Sequence, residues 1–239
     1  MTPISWAIAL AVTFLAAAIQ GVVGLGFAMI SVPILAIIDP SLAPVPQLLI
    51  TLPLTLSMAW RERGHLALGG VGWVVAGRLP GAAIGVLLLA VATQTTLEVV
   101  IAVLVLVAAA IIASGLHVAR TPGTQFGAGL FSGVSGLVAS IGGPPLALLY
   151  TREEGPVVRS NLAAVFVIGL LITITARIVS HNMTWDDART ALILFPALAA
   201  GYMASIAMKD MVSQTALRTA ILVLSLLGAL GLLVRAVVS

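Results

Sequence analysis

Eight apolar runs follow one another along the chain, separated by short polar turns or turns containing proline and glycine. Such runs approach or exceed the roughly 17–25 residues that an α-helix needs to cross a bilayer. The runs lie near residues 5–38, 47–60, 66–92, 96–118, 124–150, 160–180, 187–208 and 214–238. The pattern predicts an all-α polytopic membrane protein with four runs in each half.

The first and fifth runs are each interrupted by glycines and then contain a proline. Gly21–Gly24 leads to Pro33, and Gly133–Gly136 leads to Pro145, with the same spacing from first glycine to proline. Proline is favourable in the first turn of a helix, because its missing N–H would be unpaired there anyway. Each run is therefore predicted to be two short helices that meet at a break. Non-helical backbone at membrane depth needs protein or a polar cavity to cover it, so the breaks should line something.

The two halves of the chain also match elsewhere. Pro80 with Gly85 returns as Pro196 with Gly201, and Gln94–Leu97 returns as Gln214–Leu217. We interpret residues 1–119 and 120–239 as two membrane repeats, each consisting of a broken run and three helices. Matched broken segments in the two halves of a membrane protein indicate a transporter whose site lies at the repeat interface.

Composition supports a membrane protein independently of the pattern. Hydrophobic residues make up 61% of the chain, charged residues 8%, and the mean hydropathy is +1.21, which excludes a soluble domain with a polar surface. The net charge of +3 comes from loop arginines, so we expect the lipid bilayer and no nucleic acid as partner. The chain has no cysteine, which excludes disulfides and thiolate ligands.

The arginines and lysines help to choose a topology. If every run crosses the membrane once, six of these cations lie on one side and four on the other. If the broken runs re-enter or cross twice, seven lie on one side and three on the other. The positive-inside rule favours the second arrangement, with inverted repeats and both termini outside the cytoplasm. The seven are Arg61, Arg63, Arg120, Arg152, Arg159, Lys209 and Arg218, and the three are Arg177, Arg189 and Arg235.

The breaks are also the best candidates for binding an anion. In the second half, Ser140, Gly142 and Gly143 precede a predicted helix start, and a helix N-terminus offers free N–H groups and the positive end of the dipole. Ser31 stands at the position that matches Gly143 in the first half. Two such ends, converging near the midplane, would hold a small oxyanion without a lysine. The alternative is that the glycines only allow close helix packing.

Polar residues in the neighbouring runs extend the candidate site. Gln47 and Asn161 each open the run after a break, and their amides could bind an anion or simply cap a helix. Arg78 lies inside an apolar run, which makes it a functional candidate by default, although its repeat partner is Leu194 and a snorkelling arginine is the favoured alternative. The candidate substrate-binding residues are Gly24, Ser31, Gln47, Arg78, Ser135, Ser140, Gly142, Gly143 and Asn161.

Several other activities are disfavoured. No nucleotide-binding Gly-x-x-x-x-Gly-Lys motif occurs, no carboxylate lies in mid-run, and we expect no cofactor, metal or catalytic residue. The Gly-x-Ser-Gly form around Ser135 resembles the nucleophile motif of rhomboid proteases, whose serine needs a base. The matching residue in the first half is Val23, and His65, His117 and His181 all lie at run ends or in loops. An anion-selective channel and an accessory membrane subunit remain as alternatives.

The doubled Gly-x-x-Gly with its proline, the Gly142–Pro145 stretch, Arg159–Asn161 and the Pro-x-x-x-x-Gly pairs together resemble the TauE/SafE sulfite exporter family, also called the toluene sulfonate uptake permease family. The resemblance extends over essentially the whole chain. It implies a carrier of the bacterial or archaeal inner membrane for sulfite, sulfonates or similar sulfur-containing anions, built from two repeats. A coupling proton or ion and a homodimer are left open, because the sequence specifies neither.

Overall fold

The chain is a bundle of α-helices joined by short turns. The computed structural model describes residues 1–66, 69–150, 155–208 and 211–238. Within these ranges the helices are α1 (Pro3–Val23), α2 (Phe27–Ile38), α3 (Val45–Arg61), α4 (Val71–Val91), α5 (Gln94–Ser114), α6 (Pro122–Ala139), α7 (Gly143–Ala147), α8 (Gly155–Val179), α9 (Trp185–Met208) and α10 (Gln214–Val238). Single 3₁₀ turns follow α2, α3 and α7, at Pro40–Leu42, Arg63–His65 and Leu148–Tyr150.

Seven stretches of the described chain are long and apolar enough to cross a membrane. They are α1, α3 with the turn before it, α4, α5, α8, α9 and α10, and α2 is a shorter apolar helix. The prediction of an all-α polytopic membrane protein is therefore confirmed.

Both predicted breaks are present. Residues 24–26 separate α1 from α2, and Gly24 and Gly26 have φ values of 100° and 116°, in the left-handed region that favours glycine. Residues 140–142 separate α6 from α7. The proline expectation holds for only one of them. Pro144 and Pro145 lie in the first turn of α7, but Pro33 lies inside α2, because that helix already begins at Phe27.

Contacts at the helix ends show that α2 runs back against α1. Arg61 at the end of α3 donates from Nη2 to the carbonyl of Gly21 near the end of α1, at 2.7 Å, so these two helices end on the same face. Arg235 near the end of α10 donates to the carbonyl of Ile37 at the end of α2, at 2.9 Å, on the opposite face. We call the first the Glu62 face, which carries Arg61, Glu62, Arg159 and Arg218, and the second the Asp39 face, which carries Asp39, Glu98, Arg177 and Arg235.

The N-terminal amino group and Arg235, near the end of α10, lie close to Asp39. The side chain and backbone of Ser41 hydrogen-bond to this carboxylate, and the N-terminal amino group and Arg235 add positive charge nearby, so that the pKa of Asp39 is lowered despite partial burial. Arg61, Arg159 and Arg218 lie on the Glu62 face, and Arg177 and Arg235 lie on the Asp39 face. These five cations are divided as the seven-against-three topology predicts. Arg152 and Lys209 lie outside the described residues, and the orientation relative to the cytoplasm stays a prediction.

The helices pair in an exchange pattern. The close pairs are α1 with α9 and α6 with α4, α2 with α10 and α7 with α5, and α3 with α8. If α1 is interchanged with α6, α2 with α7, and so on to α5 with α10, the same set of pairs results. Glycines allow the closest approaches: a Cβ at Gly133 would lie 2.6 Å from the carbonyl oxygen of Arg78, and one at Gly201 would lie 2.2 Å from that of Phe14. Small residues at helix contacts allow such close approach in membrane proteins.

Candidate functional site

A small cavity lies where the two breaks meet. Its volume is about 50 Å³, and its wall comes from residues 25–29 and 140–144 together with side chains of α1, α3, α4, α6 and α8. At about 15 Å³ for each water-sized probe, this gives room for roughly three such groups. We call it the central cavity. The prediction that the breaks line a cavity is confirmed.

Arg78 of α4 extends into this cavity. The side chain is 3% exposed, and its guanidinium donates from Nη1 to the Ser132 hydroxyl at 2.8 Å. Nε is buried without a hydrogen-bond partner, and no described carboxylate forms an ion pair with the side chain. Gly169 provides the space, because a Cβ there would lie 2.1 Å from Cζ of Arg78. The snorkelling alternative is wrong, since the charge lies inside the protein.

Ser132 connects Arg78 to the second break. Its hydroxyl accepts from Arg78 and donates to the carbonyl of Gly142 at 2.6 Å. A Cβ at Gly142 would lie 2.9 Å from the Ser132 hydroxyl and 3.3 Å from Nη1 of Arg78, so glycine is required for this close approach. The guanidinium is thereby fixed beside the break.

Gln20 of α1 occupies the corresponding place at the first break. Its Oε1 accepts from the N–H of Phe27, the first residue of α2, at 2.9 Å, while its Nε2 is buried without a partner. The amide nitrogen can only donate, and a buried unsatisfied donor destabilises the fold by about 1–3 kcal/mol. Because Gln20 lines the cavity, this donor is available to a bound acceptor.

The two helix starts differ in the donors they offer. Ala28 and Met29 lie in the first turn of α2 and on the cavity wall, where their N–H groups have no acceptor within the helix. At α7, Pro144 and Pro145 have no N–H, so the expectation of free backbone donors fails at these positions. On that side Arg78 is the main donor.

Four of the candidates from the sequence line the central cavity, namely Arg78, Ser140, Gly142 and Gly143. The Ser140 hydroxyl is directed to the carbonyl of Pro44, at 3.0 Å, and so ties the second break to the start of α3. A Cβ at Gly143 would lie 3.1 Å from Cζ of Phe166, across the cavity wall.

The other candidates lie off the described wall. Ser31 and Ser135 donate to the carbonyls of Phe27 and Phe131 in their own helices, so neither hydroxyl proton is free. Ser31 does not stand at a helix start as expected, because α2 begins a turn earlier.

Gln47 and Asn161 are fully buried but do not line the described wall, and Gly24 contacts Arg159 instead. The Nε2 atom of Gln47 donates to the carbonyl of Leu42, at 3.3 Å.

Sequence reasoning missed Gln20 of the cavity wall, and it missed Ser132, which holds Arg78 beside the second break. Each immediately precedes the first glycine of its doubled motif, Gly21 or Gly133, and a polar residue at that matched position was the signal that could have found them. It also missed four other residues that line the cavity, because their positions in the sequence give no comparable signal. They are the apolar Phe166 and Leu170 and the polar Thr51 and Thr173.

An ion cluster joins the two halves of the chain on the Glu62 face. Glu62 Oε1 accepts from Nε of Arg159 at 3.0 Å and from Nε of Arg61 at 3.2 Å. Partial burial by itself would raise the pKa of Glu62, but the hydrogen bonds and charges of Arg159 and Arg61 outweigh it and lower that pKa. On the Asp39 face, Arg177 caps the end of α6 through the carbonyl of Leu137, at 3.0 Å, much as Arg61 caps α1.

Membrane-length helices that enclose a cavity lined with hydrogen-bond donors define the class of this protein: a polytopic membrane protein with an internal polar site, as solute transporters have. A family model described as sulfite exporter TauE/SafE matches residues 9–232. The chain belongs to this family, whose members are membrane transporters of sulfite and related sulfur anions and are not enzymes. No curated protein and no solved structure matches the chain.

Proposed function

We propose that this transporter moves small sulfur oxyanions by alternating access and holds the anion in the central cavity beside Arg78. The observation that carries the proposal is the buried guanidinium of Arg78, which has no carboxylate partner among the described residues. Removing an ion from water costs several kcal/mol unless an opposite charge and hydrogen bonds replace the lost hydration. A bound anion would supply both.

The polar groups around the cavity are mainly donors. Nε of Arg78 and Nε2 of Gln20 are buried without partners, and the first turn of α2 adds the N–H groups of Ala28 and Met29. No carboxylate is among the described residues that line the cavity. This set complements an oxyanion and disfavours a cation.

A larger cavity adjoins the central cavity on the Glu62 face. It has a volume of about 530 Å³, is lined by Arg159 and Arg218 among others, and shares Leu25 and Pro144 with the central cavity. A third cavity of about 240 Å³ on the Asp39 face shares no described lining residue with the central one. This asymmetry between the two faces favours a carrier over a channel with a continuous pore.

In this proposal residues 1–119 and 120–239 are inverted repeats that rock around the fixed anion site. The exchange pattern of helix pairs supports it, as does the proximity of Asp39 to the N-terminal amino group and to Arg235 near the end of α10. The arginine-rich Glu62 face is then cytoplasmic, and both termini lie outside the cytoplasm of a cell with this protein in its inner membrane.

The proposal is tested by uptake of labelled sulfite into proteoliposomes. We expect Arg78→Gln to reduce the initial rate at least about a hundredfold, because a charged hydrogen bond to the anion and its charge balance are lost. Arg63→Gln is the matched control, since it removes an exposed cation that stacks on Trp60. Wild-type flux through a monodisperse Arg78→Gln protein would contradict the proposed site.

A further inference from the structure

The central cavity contains one full positive charge. Arg78 is the one ionisable side chain among the described residues that line it. The N-terminus of α2, with Ala28 and Met29 on the wall, adds about half a unit of positive charge. A ligand therefore meets roughly one and a half positive charges inside the protein.

This limited charge discriminates between anions. The attraction between an anion and its surroundings grows in proportion to the anion's charge, whereas the cost of removing the anion from water grows with the square of that charge. A dianion gains about twice the attraction of a monoanion and loses about four times the hydration. With only about one and a half positive charges available, the singly charged form binds better.

Two threonines on the same wall favour a ligand that carries a proton. Thr51 donates its hydroxyl proton to the carbonyl of Gln47, at 2.6 Å, and Thr173 donates to that of Gly169, at 2.9 Å. Both residues line the cavity, and with their protons committed to these carbonyls their hydroxyl oxygens can only accept a hydrogen bond from a ligand. An acceptor next to a fully deprotonated oxyanion is unfavourable, whereas it can accept a hydrogen bond from the hydroxyl of a protonated one.

We infer that the central cavity selects singly charged sulfur oxyanions, so that sulfite enters as bisulfite and organic substrates enter as sulfonates. This inference rests on the proposed function of the cavity. Donors on the Arg78 and Gln20 side bind the anionic oxygens, and Thr51 and Thr173 bind the hydroxyl. Bisulfite carries its own proton, so movement of this anion transports sulfite together with a proton and needs no carboxylate relay.

The neighbouring helices provide no other group to account for a pH dependence near neutrality. Arg78 packs between α6, whose residues 122–139 contain no ionisable side chain, and α8, which carries Arg159 and Arg177 toward its ends. The pKa of Glu62, on the Glu62 face, is lowered, so this carboxylate stays ionised in neutral solution. Any change of affinity with pH in this range should come from the anion.

The test is equilibrium binding of labelled sulfite to the purified wild-type protein in detergent between about pH 6 and pH 9. Methanesulfonate is the control ligand, because it is a monoanion throughout, and sulfate is the dianion. Above the pKa of bisulfite, which is near neutrality, the sulfite affinity is expected to fall about tenfold for each pH unit. The methanesulfonate affinity should stay constant, and sulfate should compete about a hundredfold more weakly.

Thr173→Val gives a second, independent readout. It should lower the affinity for bisulfite about tenfold while leaving that for methanesulfonate unchanged, because only the hydroxyl of bisulfite uses the threonine oxygen.

Three outcomes would overturn the inference. A sulfite affinity that is constant or rises with pH, or sulfate that competes as well as methanesulfonate, would contradict monoanion selection while the proposed site stands. Absence of saturable binding by both sulfite and methanesulfonate at every pH would overturn the proposed function and this inference with it.

Discussion

At the scale of single residues, the unusual feature is a pair of buried donor atoms, Nε of Arg78 and Nε2 of Gln20. Neither has a hydrogen-bond partner among the described residues. Arg78 is held in place through Ser132, and Gln20 is held through the N–H of Phe27, so each has one polar atom fixed and another left without a partner. Fixing donors in this way before the ligand arrives reduces the ordering that binding would otherwise require. The unpaired atoms destabilise the empty protein and favour the occupied one.

Replacing Gln20 by leucine tests this arrangement. We expect the affinity for sulfite to fall at least about tenfold, because a hydrogen bond to a charged group contributes about 1.5–3 kcal/mol, and stability to fall because the N–H of Phe27 loses its acceptor.

Gln47→Leu is the matched control for Gln20→Leu. It removes an equally buried glutamine that lies off the described cavity wall. It should lower the melting temperature and leave sulfite affinity unchanged. Equal losses of affinity in both variants would mean that Gln20 acts only on the fold.

The residues of the site were partly predictable from the sequence. Arg78 stands out as a lone cation in an apolar run, and Gly142 and Gly143 stand out beside two prolines. Whether Arg78 turns inward could not be read from the chain, because that depends on the space left by Gly169, which lies on a helix far away in sequence. Gln47 was predicted and does not line the described wall, whereas Gln20 was not predicted and does.

At the scale of elements, the two breaks have similar form and different chemistry. The start of α2 provides backbone donors, whereas the start of α7 has two prolines and relies on Arg78. The positions of the breaks follow from glycine, and the sequence predicted them. The start of α2 was predicted too late at Pro33, because the side chain of Gln20 caps the helix at Phe27 and this long-range cap is invisible in local propensity.

Gly143→Leu tests the role of the second break. The new side chain would begin 3.1 Å from Phe166 and extend into a cavity of only about 50 Å³, so we expect sulfite flux to be lost. Gly127→Leu, at an exposed position of α6 with open space around it, should leave flux unchanged. Size-exclusion profiles and proteoliposome uptake of both proteins provide the comparison, and normal flux through a folded Gly143→Leu protein would contradict the site.

At the scale of the whole molecule, the central cavity lies between two sets of helices that pair in the same way. The Glu62 cluster joins the end of α3 to the start of α8 and so ties the two halves on one face. Rocking of the halves would have to break this cluster. The pattern of loop arginines predicted the division of charges between the faces, while the pairing of α1 with α9 and of α4 with α6 depends on glycine contacts that no local pattern encodes.

The most direct measurement is an experimental structure with selenite, a heavier analogue of sulfite whose selenium can be located by its anomalous signal. The account predicts one selenium position in the central cavity, within hydrogen-bond distance of Nε of Arg78 and Nε2 of Gln20, and its loss in Arg78→Gln. Selenium bound elsewhere, such as beside Arg177 or Arg218, with the central cavity empty, would contradict the central claim.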